Sequence, residues 1–409
     1  MPASTKSSAD AAAIRPFTIP VTPEEEVQDL RTRVAAARWP DAETVPDHSQ
    51  GVQLRTIQEL ASYWASEYDW RSCEAKLRAL PHYMTEIDGL GIHFIHVRSE
   101  HDGALPLILT HGWPGSIIEL LNVIDPLTSP TAHGGAASDA FHVVIPSMPG
   151  YGYSEKPHAP GWGPDHMATA WVELMKRLGY DRFVAQGGDW GAVVTDLMGA
   201  KAPPELAGVH SNMPGILLPE ISQALPVPGQ LAPGGPPPPG LSPDEQAAFE
   251  QISSFYTSGA GYAVEMGTQP QTLYGIADSP VGLAAWIINH DAYSYGEIAQ
   301  AFEGKPAGQL TRDAILDNIT LYWLTNTGVS SGRLYWDNKF GFFDAKNVSV
   351  PAGVSVFPGE IYQAPRSWAE QAYPNLIHYN RLDAGGHFAA WEQPQLLTEE
   401  VRSTFAPLR

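Results

Sequence analysis

"FVAQGGDWGAVVTDLM", residues 183 to 198, holds a strand, a turn and a helix in one short run. Phe183-Val184-Ala185 is apolar and of strand character, and Ala192 to Met198 suits a helix. Between them Gly187, Gly188 and Gly191 surround Asp189. A strand that turns sharply into a helix raises one side chain above the edge of a sheet, a place that more often holds a serine nucleophile within G-x-S-x-G. The glycines permit the tight backbone turn and close packing. The start of the next helix supplies N–H donors and a positive dipole end, which favour a negative charge on Asp189. A carboxylate so placed can attack carbon and form an ester. Helix capping alone would also account for an aspartate in such a turn.

Working outward, "GIHFIHV" (91–97) alternates as a strand, while "LPLILTH" and "FHVVIPS" are apolar runs suited to strands buried on both faces. "SIIELLNVIDPL" and "MATAWVELMKRLGY" read as helices, "RFVAQ" and "AGVHSNM" as further strands. This alternation predicts an α/β fold, a mostly parallel sheet with helices on both faces. It breaks near Pro214. The stretch 225–243, with four consecutive prolines, reads as a stiff exposed loop, and helical segments follow to about Trp336. "GVSVFPGE" and "LIHYNRLDAGGHF" then resume the strand pattern. The expected organisation is a loose tail at 1–15, a helical leader at 16–90, a core at 91–215 and 341–409, and a helical lid at 216–340. In the leader Thr22 is expected to cap a helix that opens with Pro23 and Glu24 to Glu26.

The totals limit the function classes. With 24 Lys+Arg against 45 Asp+Glu, the formal charge is −21, which repels nucleic acid and anionic membranes. Cys73 is the single cysteine, so no intrachain disulfide can form, and a reducing compartment fits. The N-terminus lacks a secretion-type apolar stretch and no 18-residue apolar span occurs, so a soluble, cytoplasmic protein is expected. The glycosylation-type triplets at Asn318 and Asn347 carry no weight in that setting.

Three more segments lie at predicted strand ends. "HGWPGS" (111–116) can aim a backbone N–H at the site, so Trp113 and Trp190 are the expected oxyanion-hole donors. His111 is read as a loop fastener. "AGGHFAAWE" places His387 in a loop after the last strand, as a general base requires. "FPGE" places Glu360 just past a strand, where an acid can orient that imidazole. Asp383 competes for this role. Glu392 does too, although it is expected on a solvated helix face, and Asp337 and Asp344 are more distant choices. His93 and His96 fall on opposite faces of a strand, and no cluster has zinc spacing, so neither metal nor cofactor is implied.

The order Asp189, Glu360, His387 is that of nucleophile, acid and base in α/β-hydrolases. From about Arg15 onward the chain resembles the microsomal-type epoxide hydrolases in their soluble bacterial and fungal branch. The resemblance rests on "HGWPGS", "GGDWG", "DSPVGLAAW", "FPGE" and "GGHFAAWEQP" together. It implies an α/β-hydrolase fold with a lid and an epoxide hydrolase that opens its substrate through an ester on Asp189. It also implies two lid tyrosines acting as acids on the epoxide oxygen. Tyr262 in "AGYAVE" and Tyr335 in "SSGRLYWDN" match best, with Tyr256, Tyr274, Tyr293 and Tyr295 as rivals. The Pro-rich stretch departs from the family locally. A haloalkane dehalogenase and a non-catalytic receptor on the same fold are the alternatives. A homodimer is a further expectation, and the reactants are an epoxide and water.

Overall fold

The computed structural model describes residues 12–229, 234–305 and 309–409. Residues 1–11 of the expected tail and 230–233 of the Pro-rich stretch lie outside the described residues. Among the described residues, nine strands form one sheet: β1 (Arg15–Phe17), β2 (His82–Ile87), β3 (Leu90–Val97), β4 (Leu105–Thr110), β5 (Phe141–Pro146), β6 (Phe183–Gly187), β7 (Leu206–Ser211), β8 (Ala352–Val356) and β9 (Leu376–Arg381). Their spatial order is β1-β2-β3-β5-β4-β6-β7-β8-β9. The pairings from β1 to β5 are antiparallel, and those from β5 through β4 to β9 are parallel. β6 and β8 are buried at every residue, because helices cover both faces of a parallel sheet; this is why they read as unbroken apolar runs.

Two details differ from the reading of the sequence. β1 and β2 arise within the stretch taken as a helical leader. β2 alternates poorly, since only part of it faces the core. The hairpin into β3 turns at Asp88 and Gly89, whose φ angles of 49° and 79° are those of a two-residue turn that an Asp-Gly pair favours. Thr22 does not cap its helix through its side chain. Its hydroxyl accepts the Trp70 indole N–H at 2.9 Å, and its backbone N–H donates to Glu74 at 2.6 Å.

Between β7 and β8 the chain leaves the sheet for a run of helices. The helix Arg312–Leu324 joins three parts of the molecule. On the leader side, Trp64 Nε1 donates to Thr320 Oγ1 at 3.0 Å and the Tyr68 hydroxyl donates to Asp317 at 2.8 Å. On the sheet side, Asn318 Nδ2 donates to the Pro114 carbonyl at 2.8 Å, Ser116 Oγ donates to Asn318 Oδ1 at 2.7 Å, and the Tyr322 hydroxyl donates to the Gly115 carbonyl at 2.8 Å. Asn318 is therefore buried with its amide engaged, and it is no acceptor for a glycan. Among the described residues, no helix is long and apolar enough to cross a membrane.

Candidate active site

Asp189 sits between β6 and the helix Trp190–Lys201 with φ +51°, a region that non-glycine residues enter at a cost of about 1–3 kcal/mol. Close approach of backbone to backbone holds it there. A Cβ on Gly191 would lie 1.9 Å from the Thr110 carbonyl oxygen, and one on Gly187 would lie 2.1 Å from that of Gly191. A Cβ on Gly112 would lie 2.4 Å from the Cβ of Asp189 itself. The loop after β4 is thus pressed against the turn. It delivers the Trp113 N–H to Asp189 Oδ1 at 2.7 Å, while the Trp190 N–H is placed by the start of the following helix.

Glu360 and His387 approach from the ends of β8 and β9. Their loops are tied together where Gly359 N–H donates to the Gly385 carbonyl at 2.9 Å. His387 Nδ1 and Glu360 Oε1 are 2.7 Å apart, and the Ile361 N–H donates to the same oxygen at 2.8 Å. With Nδ1 turned to the acid, Nε2 faces Asp189 Oδ2 at 3.7 Å. Asp189, Glu360 and His387 are all buried. Burial alone would lower the imidazole pKa, but the adjacent Glu360 carboxylate outweighs it, with Asp189 and Asp291 adding, and the pKa of His387 is raised.

The structure separates these three from their competitors. Asp383 is exposed, Asp337 accepts the Gly161 N–H at 3.0 Å, and Asp344 accepts the Ser222 hydroxyl at 2.7 Å. Glu392 is not on a solvated face: it is buried, accepts the Phe388 N–H at 3.0 Å, and is pushed up to about 7 by burial. It ends the short helix Ala389–Glu392, whose four residues are all buried, which the local pattern did not reveal. His111 fastens its loop, with Nδ1 on the Gly112 carbonyl at 3.0 Å and Nε2 accepting the Met148 N–H at 3.2 Å.

Above Asp189 lies a cavity of about 320 Å³, walled by Trp190, Tyr262, Tyr335, Tyr256 and Phe343 among others. Tyr262 stacks on Trp113 with ring centroids 4.9 Å apart, and Tyr335 stands edge-on to Trp190 at 4.7 Å. Burial, with the Asp189 charge adding, raises both phenols well above 10, so they keep their protons as donors. Among the rivals, Tyr256 also reaches the cavity wall. The Tyr295 hydroxyl is engaged with Thr56 and Gln53, Tyr274 is exposed, and Tyr293 lies across Gly359 and Gly386.

Two groups at the site escaped the sequence. Glu119 is half-buried, with its Oε2 enclosed beside Gly115, and joins Asp189 and His387 around a small space of about 20 Å³, room for one water. Burial pushes its carboxyl up to about 8. The His290 ring lies tilted by 35° against that of His387, with centroids 4.3 Å apart, and is bonded through Nδ1 to Asp291 at 3.0 Å. Ligand atoms of Asp189, His290 and His387 lie within 4.8 Å of one another, close enough to gather around one water or one small ion. The available signal was Asp291, which begins a helix by accepting the Ser294 N–H at 2.9 Å and has a histidine just before it.

With this geometry in place, comparison with known proteins is direct. Residues 14–120 match the model for the epoxide hydrolase N terminus, and residues 106–232 match that for the alpha/beta hydrolase fold. A Stigmatella aurantiaca protein provisionally named an epoxide hydrolase is 50% identical over 97% of this chain and 86% of its own. The chain belongs to the epoxide hydrolase family. Within the family it is also 34% identical to epoxide hydrolase 1 of Sus scrofa, over 98% of this chain and 90% of the relative. The crystal structure of juvenile hormone epoxide hydrolase from Bombyx mori superposes with a TM-score of 0.82 at 30% identity, covering 97% of this chain and 95% of that one.

Proposed function

We propose that this member of the family hydrolyses an epoxide to a vicinal diol through an ester on Asp189. The observation that carries this reading is the Asp189 carboxylate, held by the Trp113 N–H, facing His387 Nε2 at 3.7 Å beneath a cavity that Tyr262 and Tyr335 enter. Asp189 attacks a ring carbon, the C–O bond breaks, and the protonated phenols of Tyr262 and Tyr335 stabilise the oxygen that leaves, one of them giving it a proton. His387, oriented by Glu360, then takes a proton from water as that water attacks the ester carbonyl. The N–H groups of Trp113 and Trp190 stabilise the resulting oxyanion, an effect of about 3 kcal/mol per donor. The ester C–O bond breaks, the imidazolium proton passes to the diol oxygen, and the second water proton, left on Asp189, returns to the tyrosine that gave one up, so that the Asp189 carboxylate is restored. Loss of the Asp189 charge on alkylation removes one of the influences that raise His387, which favours the neutral base when water must be deprotonated.

Aspartate suits this cycle because its ester can be cleaved by water, whereas a serine would form an ether. The helices at 216–340 act as the lid, the leader braces them, and the reducing cytoplasm is the compartment in which the lone buried Cys73 fits. The phenols of Tyr262, buried, and Tyr335, half-buried, on one cavity wall favour an epoxide over a halide leaving group, and the oriented base favours turnover over simple binding.

The test is His387→Gln mixed with a panel of aryl and alkyl epoxides, followed by intact mass and peptide mapping. A gain equal to one whole epoxide, on Asp189, is the expected result. An adduct on another residue overturns the nucleophile. An alkyl adduct from haloalkanes alone turns the reading to dehalogenation.

A further inference from the structure

The Glu360–His387 arrangement has a counterpart a few ångströms away. Asp291 Oδ2 lies 3.0 Å from His290 Nδ1, as Glu360 Oε1 lies 2.7 Å from His387 Nδ1. His290 is buried, to 1% exposure, and the Asp291 side chain is 7% exposed. The His290 contacts outweigh the burial of Asp291 and hold its carboxyl down at about 2, so an anion faces Nδ1 and fixes the proton there. Nε2 of each imidazole is then turned toward the site, and it accepts a proton once the Asp189 charge is lost in the ester and the ring is neutral. Among the described residues, neither Nε2 has a hydrogen-bond partner, although both are buried. The two rings are 4.3 Å apart, and a ring nitrogen of His290 falls within 4.8 Å of both His387 and the Asp189 carboxylate. An oxygen at about 2.8 Å from each of three atoms sets them roughly 4.6 Å apart.

We propose that His290, backed by Asp291, is a second proton-accepting imidazole that holds the hydrolytic water together with His387. The proposal rests on Asp189 as nucleophile and His387 as base. The water donates one hydrogen to each Nε2, which leaves a lone pair directed at the Asp189 ester carbon. As the O–C bond forms, one O–H bond breaks, and the proton passes to an imidazole. As the ester C–O bond breaks, that imidazolium returns the proton to the diol oxygen. His290 has no part in ring opening, which needs only the Asp189 carboxylate and the phenols. Its removal therefore divides the two halves of the reaction.

His290→Phe keeps an aromatic ring against His387 and removes both nitrogens. Quench-flow mass spectrometry would follow the Asp189 ester, using the member of the epoxide panel that the unaltered enzyme turns over fastest. Ester formation is expected to stay within about threefold, while ester hydrolysis slows roughly 10- to 100-fold and the ester accumulates. His290→Gln, which retains an acceptor, should recover part of the hydrolysis rate and serves as the second variant if the phenylalanine protein does not fold. Equal slowing of both steps would make His290 a wall of the pocket, and unchanged hydrolysis in both variants would overturn the proposal. Ester accumulation in Glu119→Gln but not in His290→Phe would place the water on the Glu119 side and would also overturn it. If His387→Gln forms no ester on Asp189 with the same epoxide, the underlying mechanism falls. If that variant forms the ester and His290→Phe behaves as the unaltered enzyme, only the role of His290 falls.

Discussion

The two halves of the site are built from different materials. On the sheet side, Asp189 is placed by backbone pressed against backbone, with no room for a Cβ at Gly187, Gly191 or Gly112. On the helical side, Tyr262 and Tyr335 are placed by aromatic faces and edges, Tyr262 against Trp113 at 4.9 Å and Tyr335 against Trp190 at 4.7 Å. Backbone contact at van der Waals limits tolerates almost no change, whereas packed rings can readjust. One half therefore fixes the position of the Asp189 carboxylate. The other half can vary its walls while keeping two hydroxyls in place.

Substitutions on each side test that contrast. The largest effect is expected from Gly191→Ala, because the new methyl would meet the Thr110 carbonyl at 1.9 Å. It should cost more than about 4 kcal/mol of stability or prevent folding, read by thermal melting. A protein of normal stability would show the turn to be far softer than its contacts imply. Tyr335→Phe should leave the melting temperature within a few degrees and slow ester formation by about 10- to 100-fold, read in a single turnover. If ester hydrolysis slows instead, Tyr335 does not serve the epoxide oxygen.

Charge gives a third test. The folded pKa of His387 is raised, so its ion pair with Glu360 contributes stability that is fully present below about 6.5 and is lost as pH rises through the folded value. The melting temperature should decline across that alkaline window, and Glu360→Gln should flatten the decline. Smallest is Trp64→Phe, which removes the indole bond to Thr320 and should cost about 1–2 kcal/mol. A matching loss of ester-forming rate would mean that the helical half is held less firmly than its aromatic packing indicates.

The same contrast explains what could be read in advance. Asp189, Glu360 and His387 each stand at a strand end, where local pattern and position coincide, so short motifs could single them out as candidates. Tyr262 and Tyr335 stand within helices, and choosing them over Tyr256 or Tyr295 required the family resemblance. His290 and Glu119 were invisible because their significance is a distance, 4.3 Å from His290 to the His387 ring, across nearly a hundred residues of chain. β2 was missed although Asp88-Gly89 announced its hairpin, because a strand with one side partly wetted lacks a strong apolar signal.

The helix Arg312–Leu324 is bonded to the leader at Thr320 and Asp317, and to the loop beside Asp189 through Asn318 and Tyr322. These bonds brace that helix on both sides. The cavity above Asp189 is lined by other segments, out to Pro228 and the exposed Phe340. Side chains at that rim stand apart from the chemistry inside, so changing them would alter which epoxides enter without touching Asp189.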